Sequence, residues 1–232
     1  MSDNLCEERK IQQLGHRERL RNRLISGCGR GLLDYEILEL ILCSARTRVD
    51  CKPIAKRLLE KFKTLSGVFY ADAIELGKVK GVGNSSIAAI MCVRESMVRI
   101  LRDDIEDSVV VDKWGKLVDY LRVKIGNSDI ENFYVLYLNK RYGVIHDEVH
   151  NTGTVDEAPL YIREVIKKSL SCGAAHIVIS HNHPSGDPRP SKADIEVTKK
   201  LKVACSNMNI NLVDHIIVTP KRHYSFNTHG LL

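Results

Sequence analysis

Apolar positions in the first hundred residues recur at helical spacing. Leu32, Leu33, Ile37, Leu38, Leu40, Ile41 and Leu42 follow the glycine-rich stretch Gly27 to Gly31 and predict a helix with Asp34 as its N-cap. A second runs from Pro53, suited to a first turn, through Ile54, Leu58, Leu59 and Phe62. A third surrounds Ala71 to Leu76, and a fourth follows Asn84 with Ile87, Ile90, Met91 and Val98 on its faces. The expectation is a set of short helices with little strand pattern. The acidic, polar stretch Arg102 to Ser108 breaks the pattern and marks a domain boundary near Asp104. Beyond it strands and helices alternate. Strands are predicted at Phe133–Leu138, Val144–Val149, Ala175–Ser180 and Leu212–Thr219, the first two joined by a hairpin at Asn139–Gly143. Helices fit Trp114–Ile125, Tyr161–Ser171 and Lys192–Met208; in the last, Val197, Leu201, Ala204, Cys205 and Met208 form one apolar stripe opposite Lys199, Lys200 and Lys202. The chain therefore divides into a helical region, 1–104, and an α/β domain, 105–232.

A length of 232 residues suits one or two such regions and allows a core without metal or disulfide staples. With 44% hydrophobic and 28% charged residues the composition is that of an ordinary globular protein, and apolar runs such as Phe133–Leu138 are too short to span a bilayer. Membrane and disordered classes are excluded on this basis. Seven scattered cysteines with no CxxC pair point to reduced thiols in a cytoplasmic protein. The polar start MSDNLCEERK lacks the apolar core of a signal peptide. Of the net charge of +6, residues 1–104 carry +5 (19 basic, 14 acidic) and 105–232 carry +1 (16 basic, 15 acidic). Arg9, Lys10, Arg17, Arg19, Arg21, Arg23 and Arg30 face only Glu18 between positions 9 and 30. The simplest reading of such a run is a solvated helix face. Leu76-Gly-Lys-Val-Lys-Gly-Val-Gly83 changes that picture. A glycine-flanked turn opening into a helix, with Lys78 and Lys80 beside it, has the logic of a helix-hairpin-helix that meets a DNA phosphate through backbone N–H groups. The same glycines also serve a plain tight turn.

The strongest chemical signal is Ile177-Val-Ile-Ser-His-Asn-His-Pro-Ser-Gly-Asp-Pro-Arg-Pro-Ser-Lys-Ala-Asp194. On an extended chain, side chains two apart share a face, so His181 and His183 can present both imidazoles to one ion. The Pro- and Gly-rich loop turns the chain, Ser191 falls at a helix N-cap, and Asp194 lies in the first turn, returning a carboxylate toward the histidines. An HxH alone is expected about 0.35 times by chance in this composition, but Ser and Asp at these offsets lower that to about 0.002. Ser191 and Asp194 also read as a capping box. Two histidines and one carboxylate are the ligand count of a catalytic zinc site with a position open for water, and hydrolysis is its natural reaction.

The HxH, seven residues, Ser, two residues, Asp pattern resembles the JAB/MPN (JAMM) metallopeptidases. The fuller string His181–Asp194, with Thr152-Gly-Thr154 upstream and Leu212-Val-Asp-His215 downstream, is similar to the RadC family, as are His16-Arg-Glu-Arg-Leu20 and Lys80-Gly-Val-Gly83. The resemblance implies a small all-α helix-hairpin-helix region followed by an α/β JAB/MPN domain of cytidine-deaminase-like type with a mixed sheet. It implies zinc held by His181, His183 and Asp194, an oxyanion-stabilising Ser191, and a glutamate at the first core strand as general base. Glu131, just before Phe133–Leu138, matches that position best; Glu164 falls on a helix beside Arg163 and Lys168, and Glu148 lies mid-strand like an alternating surface residue. His215, inside an apolar strand, reads as a buried, hydrogen-bonded histidine rather than a fourth ligand. The literal His-Asn-His tripeptide does not suit an HNH nuclease, whose residues spread over a ββα unit. Two functions follow: a zinc-dependent hydrolase of a protein or peptide substrate, or a DNA-binding, repair-associated protein in which the zinc domain is a scaffold.

Overall fold

The structure, a computed structural model, describes residues 2–27, 30–46, 49–106, 110–152 and 160–232. It forms two compact units, Met1–Ser96 and Met97–Leu232.

The first unit holds helices α1 (Ser2–Gly27), α2 (Asp34–Ala45), α3 (Lys52–Phe62), α4 (Leu65–Tyr70), α5 (Ala73–Gly77) and the larger part of α6 (Asn84–Glu106). Leu38, Leu42, Ile54, Leu58, Phe69, Leu76 and Ile90 make its core. The helices are not all short, since α1 has 26 residues and α6 has 23. The N-cap of α2 is Leu33, with Asp34 as the first helical residue; Glu36 Oε2 accepts from the Leu33 N–H at 2.9 Å, which satisfies a first-turn donor from the far side. The acidic stretch does not end α6, which runs on to Glu106 because Val98 and Ile105 on its inner face are buried.

Part of the basic run is engaged within this unit. Arg23 pairs with buried Glu36 at 2.9 Å, His16 lies 3.2 Å from buried Glu39, and Arg17 donates to the Val49 carbonyl. Between α5 and α6 the chain makes the expected hairpin. Gly81 has φ +92°, a left-handed conformation that favours glycine, and a Cβ there would also press on the Ile54 side chain at 3.3 Å. Arg57 donates to the Lys80 carbonyl at 3.0 Å and Arg46 to that of Gly81, tying the turn to its own unit.

The second unit contains α7 (Trp114–Lys124), β1 (Asn132–Leu138), β2 (Val144–Thr152), α8 (Ile162–Cys172), β3 (His176–Asn182), α9 (Lys192–Asn207), β4 (Asn211–Val218) and β5 (His223–Ser225). The five-stranded sheet has the order β2-β1-β3-β4-β5 and is mixed: β3 and β4 are parallel across α9, the other pairs antiparallel. Alternate residues feed two cores. Tyr134, Leu136, Leu138, Val178, Ile216 and Val218 pack on α7 and the last turns of α6; Phe133, Val135, Tyr137, Ile177, Ile179 and Leu212 pack on the α8 and α9 side. Helices on both faces explain why these strands read as continuous apolar runs. Beneath α7, Asp147 of β2 accepts from the Tyr120 and Tyr134 hydroxyls and pairs with Arg102 at 2.8 Å. A β-bulge at Val213 shifts the register, Ile177 pairing with Leu212 but Val178 with Asp214, so the faces of β4 exchange at that point. Cys43, Cys51, Cys92, Cys172 and Cys205 carry free thiols, and among the described residues no helix is long and apolar enough to cross a membrane.

Candidate metal centre

Three connections converge at the C-terminal end of β3. His181 follows Ile177 and Ile179 on one face of the strand, and His183 stands just past its end. Because β1 runs antiparallel with Phe133 opposite His181, Glu131, two residues upstream of Phe133, is delivered to the same end. The loop 184–190 then returns the chain to α9, where Ser191 is the N-cap and Asp194 the third helical residue.

One ligand atom from each of Glu131, His181, His183 and Asp194 lies within 4.8 Å of the others. His181 Nε2 is 2.9 Å from His183 Nε2, 3.2 Å from Asp194 Oδ1 and 3.5 Å from Glu131 Oε1; His183 Nε2 is 3.6 Å from Asp194 Oδ2. His181 is fully buried, Glu131 and Asp194 nearly so, and His183 half-buried. Lone-pair-bearing nitrogens and two carboxylates do not gather in a site so poor in water without a cation or shared protons between them. Imidazole with carboxylate suits zinc among the common divalent ions, so the residues present fit the group that the motif implies.

The surroundings tune each group. Burial pushes the Asp194 carboxyl up, but hydrogen bonds with His181 and His183 and from Ser191 outweigh it and hold Asp194 well below the usual carboxylate range. His183 feels the same desolvation, yet Asp194 and the Asp187 carbonyl, 2.7 Å from its Nδ1, raise it. Desolvation prevails at His181, which is lowered, and more strongly at His215.

Ser191 is in full capping geometry: its hydroxyl donates to Asp194 Oδ2 at 2.7 Å, its N–H reaches the same oxygen at 2.7 Å, and its Oγ accepts from the Asp194 N–H at 3.1 Å. Glu164 lies outside the cluster, against Arg163 and Lys167. Glu148 is not a plain surface residue; half-buried, it accepts from the Tyr137 hydroxyl at 3.1 Å. Gly153 and Thr154 of the Thr152-Gly-Thr154 motif lie outside the described residues.

Two features escape the motif. Asn182, between the histidines, points to the opposite face and is buried; it accepts from the Asn132 N–H at 2.8 Å and donates to the carbonyls of Ser128 and Ile130 at 3.1 and 3.0 Å, clamping the segment that carries Glu131. His215 Nε2 is 2.8 Å from His181 Nδ1, and its own Nδ1 is 2.6 Å from Thr198 Oγ1. The partners here are backbone groups and residues distant in sequence, so only strand register brings them together.

Residues 111–231 match the family model described as a RadC-like JAB domain. A UPF0758 protein of Fusobacterium nucleatum is 40% identical over 225 residues, covering 94% of this chain and 97% of the relative. A UPF0758 protein of Ruegeria pomeroyi is 38% identical over 217 residues, with the same coverages.

Proposed function

The chain belongs to the RadC family, and on that premise we propose that it is a zinc-dependent hydrolase of the metallopeptidase type, acting on a peptide or isopeptide carbonyl. The observation that carries the reading is the convergence of Glu131, His181, His183 and Asp194 at one buried point. His181, His183 and Asp194 would hold the ion. Bound there, zinc supplies Lewis acidity, polarising a carbonyl and lowering the pKa of a water to roughly 7.

The remaining work falls to the chain's own groups. Glu131 takes a proton from the attacking water and passes it to the leaving amine, a role open to a carboxylate at the edge of the ligand cluster. Asp194, held ionised, keeps a negative charge beside the two imidazoles. Ser191 contributes to oxyanion stabilisation by re-aiming the hydroxyl that donates to Asp194 in the resting protein.

The purified protein should hold about one zinc per chain, lost in His181→Ala and Asp194→Ala. Glu131→Gln should keep the zinc and lower cleavage of a peptide library, read by mass spectrometry, by about 10²- to 10⁴-fold. Absence of zinc uptake by the wild type, or full hydrolysis by Glu131→Gln, would overturn the reading.

DNA binding by the first unit is the second reading, favoured by the Gly81 hairpin with exposed Lys80 and by exposed Arg19, Arg21 and Arg30. Arg23 and Lys78 weigh against it, being paired with Glu36 and Glu75. Phosphate contacts would make the full chain's DNA affinity fall steeply with salt; a flat salt response would rule them out.

A further inference from the structure

We propose that Thr198 and His215 are positioning residues for the metal: through a directed chain of hydrogen bonds ending at the Asp194 carbonyl, they fix His181 as the tautomer that bares Nε2 toward the ion. The inference rests on the metal reading above, and adds residues that neither touch the ion nor belong to the ligand pattern.

The direction of the chain follows from what each atom can do. A backbone carbonyl only accepts, and Thr198 Oγ1, one turn after Asp194 on α9, donates to the Asp194 carbonyl. A hydroxyl has one hydrogen, so toward His215 Nδ1, at 2.6 Å, Thr198 Oγ1 must accept. His215 therefore carries its hydrogen on Nδ1. Fully buried, with Phe226 stacked on it at 4.4 Å and Phe133 tilted against it at 5.6 Å, His215 is a neutral ring, and its Nε2 is a bare acceptor. The contact at 2.8 Å to His181 Nδ1 then requires the hydrogen on His181, which leaves the His181 Nε2 lone pair facing the cluster. The opposite polarity would set Thr198 Oγ1 and the Asp194 carbonyl oxygen against each other as two acceptors in contact.

The chain also closes a ring. It leaves the strand ligand His181, crosses β4 at His215, and returns through α9 to the backbone of the helix ligand Asp194. Two ligands from different elements are thus held in register by groups whose loss leaves the ligand set intact. His183 has a shorter version, its Nδ1 lying 2.7 Å from the Asp187 carbonyl.

Zinc affinity measured by competition with a chromophoric chelator tests this without any substrate. Thr198→Val keeps the shape and removes the hydroxyl, and should weaken zinc binding about 10- to 100-fold; Thr198→Ser restores the hydroxyl and should restore affinity to within about threefold of wild type. Long-range proton–nitrogen NMR of the metal-free protein should show the Nδ1–H tautomer of His181 in the wild type and in Thr198→Ser, and a mixture in Thr198→Val. His215→Leu should match Thr198→Val, and where that larger change prevents folding the threonine pair decides alone. Wild-type affinity in Thr198→Val, or an Nε2–H tautomer in the metal-free wild type, would overturn the inference while the metal reading stands. A wild type that binds no zinc would instead remove the premise.

Discussion

Asn182 shows what a single side chain contributes that a metal-ligand pattern does not contain. Its carboxamide uses both hydrogens and an oxygen lone pair on the segment 128–132, and no other residue type of that size supplies two donors and an acceptor in one plane. Asn182→Ala should cost about 2–3 kcal/mol by leaving buried carbonyls and an N–H unpaired. Asn182→Asp, nearly isosteric, should cost more, since a carboxylate oxygen would face two carbonyls. Urea denaturation gives the stabilities, and hydrogen exchange at the Asn132 amide should accelerate in both variants while zinc remains bound; an Asn182→Asp protein as stable as wild type would refute the clamp. This contrast explains what was legible. His181, His183, Ser191 and Asp194 are readable because their offsets encode a strand, a turn and a helix start. Glu131 is assigned only through the family resemblance, and Thr198, Asn182 and the hydrogen bonds of His215 are invisible to spacing because their partners come from other strands or from the backbone.

The elements that stand out in the sequence are those whose environment repeats along their length. β1 and β3 are buried on both faces and so read as apolar runs, and α3 and α9 show one stripe each. β5, three residues long, and α4, six residues with Gly67 inside, are too short to establish a period. The length of α1 is hidden because its sequence carries few large apolar residues, Leu5, Ile11, Leu14, Leu20, Leu24 and Ile25, and these keep no sustained period. β1 and α7 also set an alkaline response. Burial pushes the hydroxyls of Tyr120, Tyr134 and Tyr137 upward, and the carboxylates of Asp147 and Glu148 add to it. A tyrosine raised in the folded state contributes stability that is complete below its unfolded pKa, about 10, and is lost as pH rises through the folded value. Absorbance at 295 nm should therefore show these three of the eight tyrosines ionising only together with unfolding, well above pH 10. Reversible ionisation of all eight near pH 10 with the sheet intact would contradict the burial of these three side chains.

At the scale of the molecule, the two units have separate cores, and the candidate centre belongs wholly to Met97–Leu232. Zinc at 100 times its dissociation constant should stabilise that unit by about 2.7 kcal/mol. Chelation should accelerate hydrogen exchange at 131–133, 181–198 and 212–218 while leaving the core of α2, α3 and α5 unchanged; uniform acceleration across both units would mean that they unfold as one. The bulge at Val213 has a consequence for how such a chain can vary. Upstream of it, even-numbered Leu212 faces the α8 and α9 side; downstream, odd-numbered His215 does. Val213 is the residue that the bulge adds: Leu212 keeps the layer of Ile177, Asp214 that of Val178 and His215 that of Ile179, with Val213 inserted between the first two. Loss of its codon would leave those three alternating regularly and His215 still beside His181, whereas a residue lost from 216–218 has no bulge to absorb it and would turn the rest of the strand toward the opposite layer. The strand thus carries one residue of slack, and the lineage of this domain is expected to accept a one-residue deletion at 213 more readily than one downstream of it.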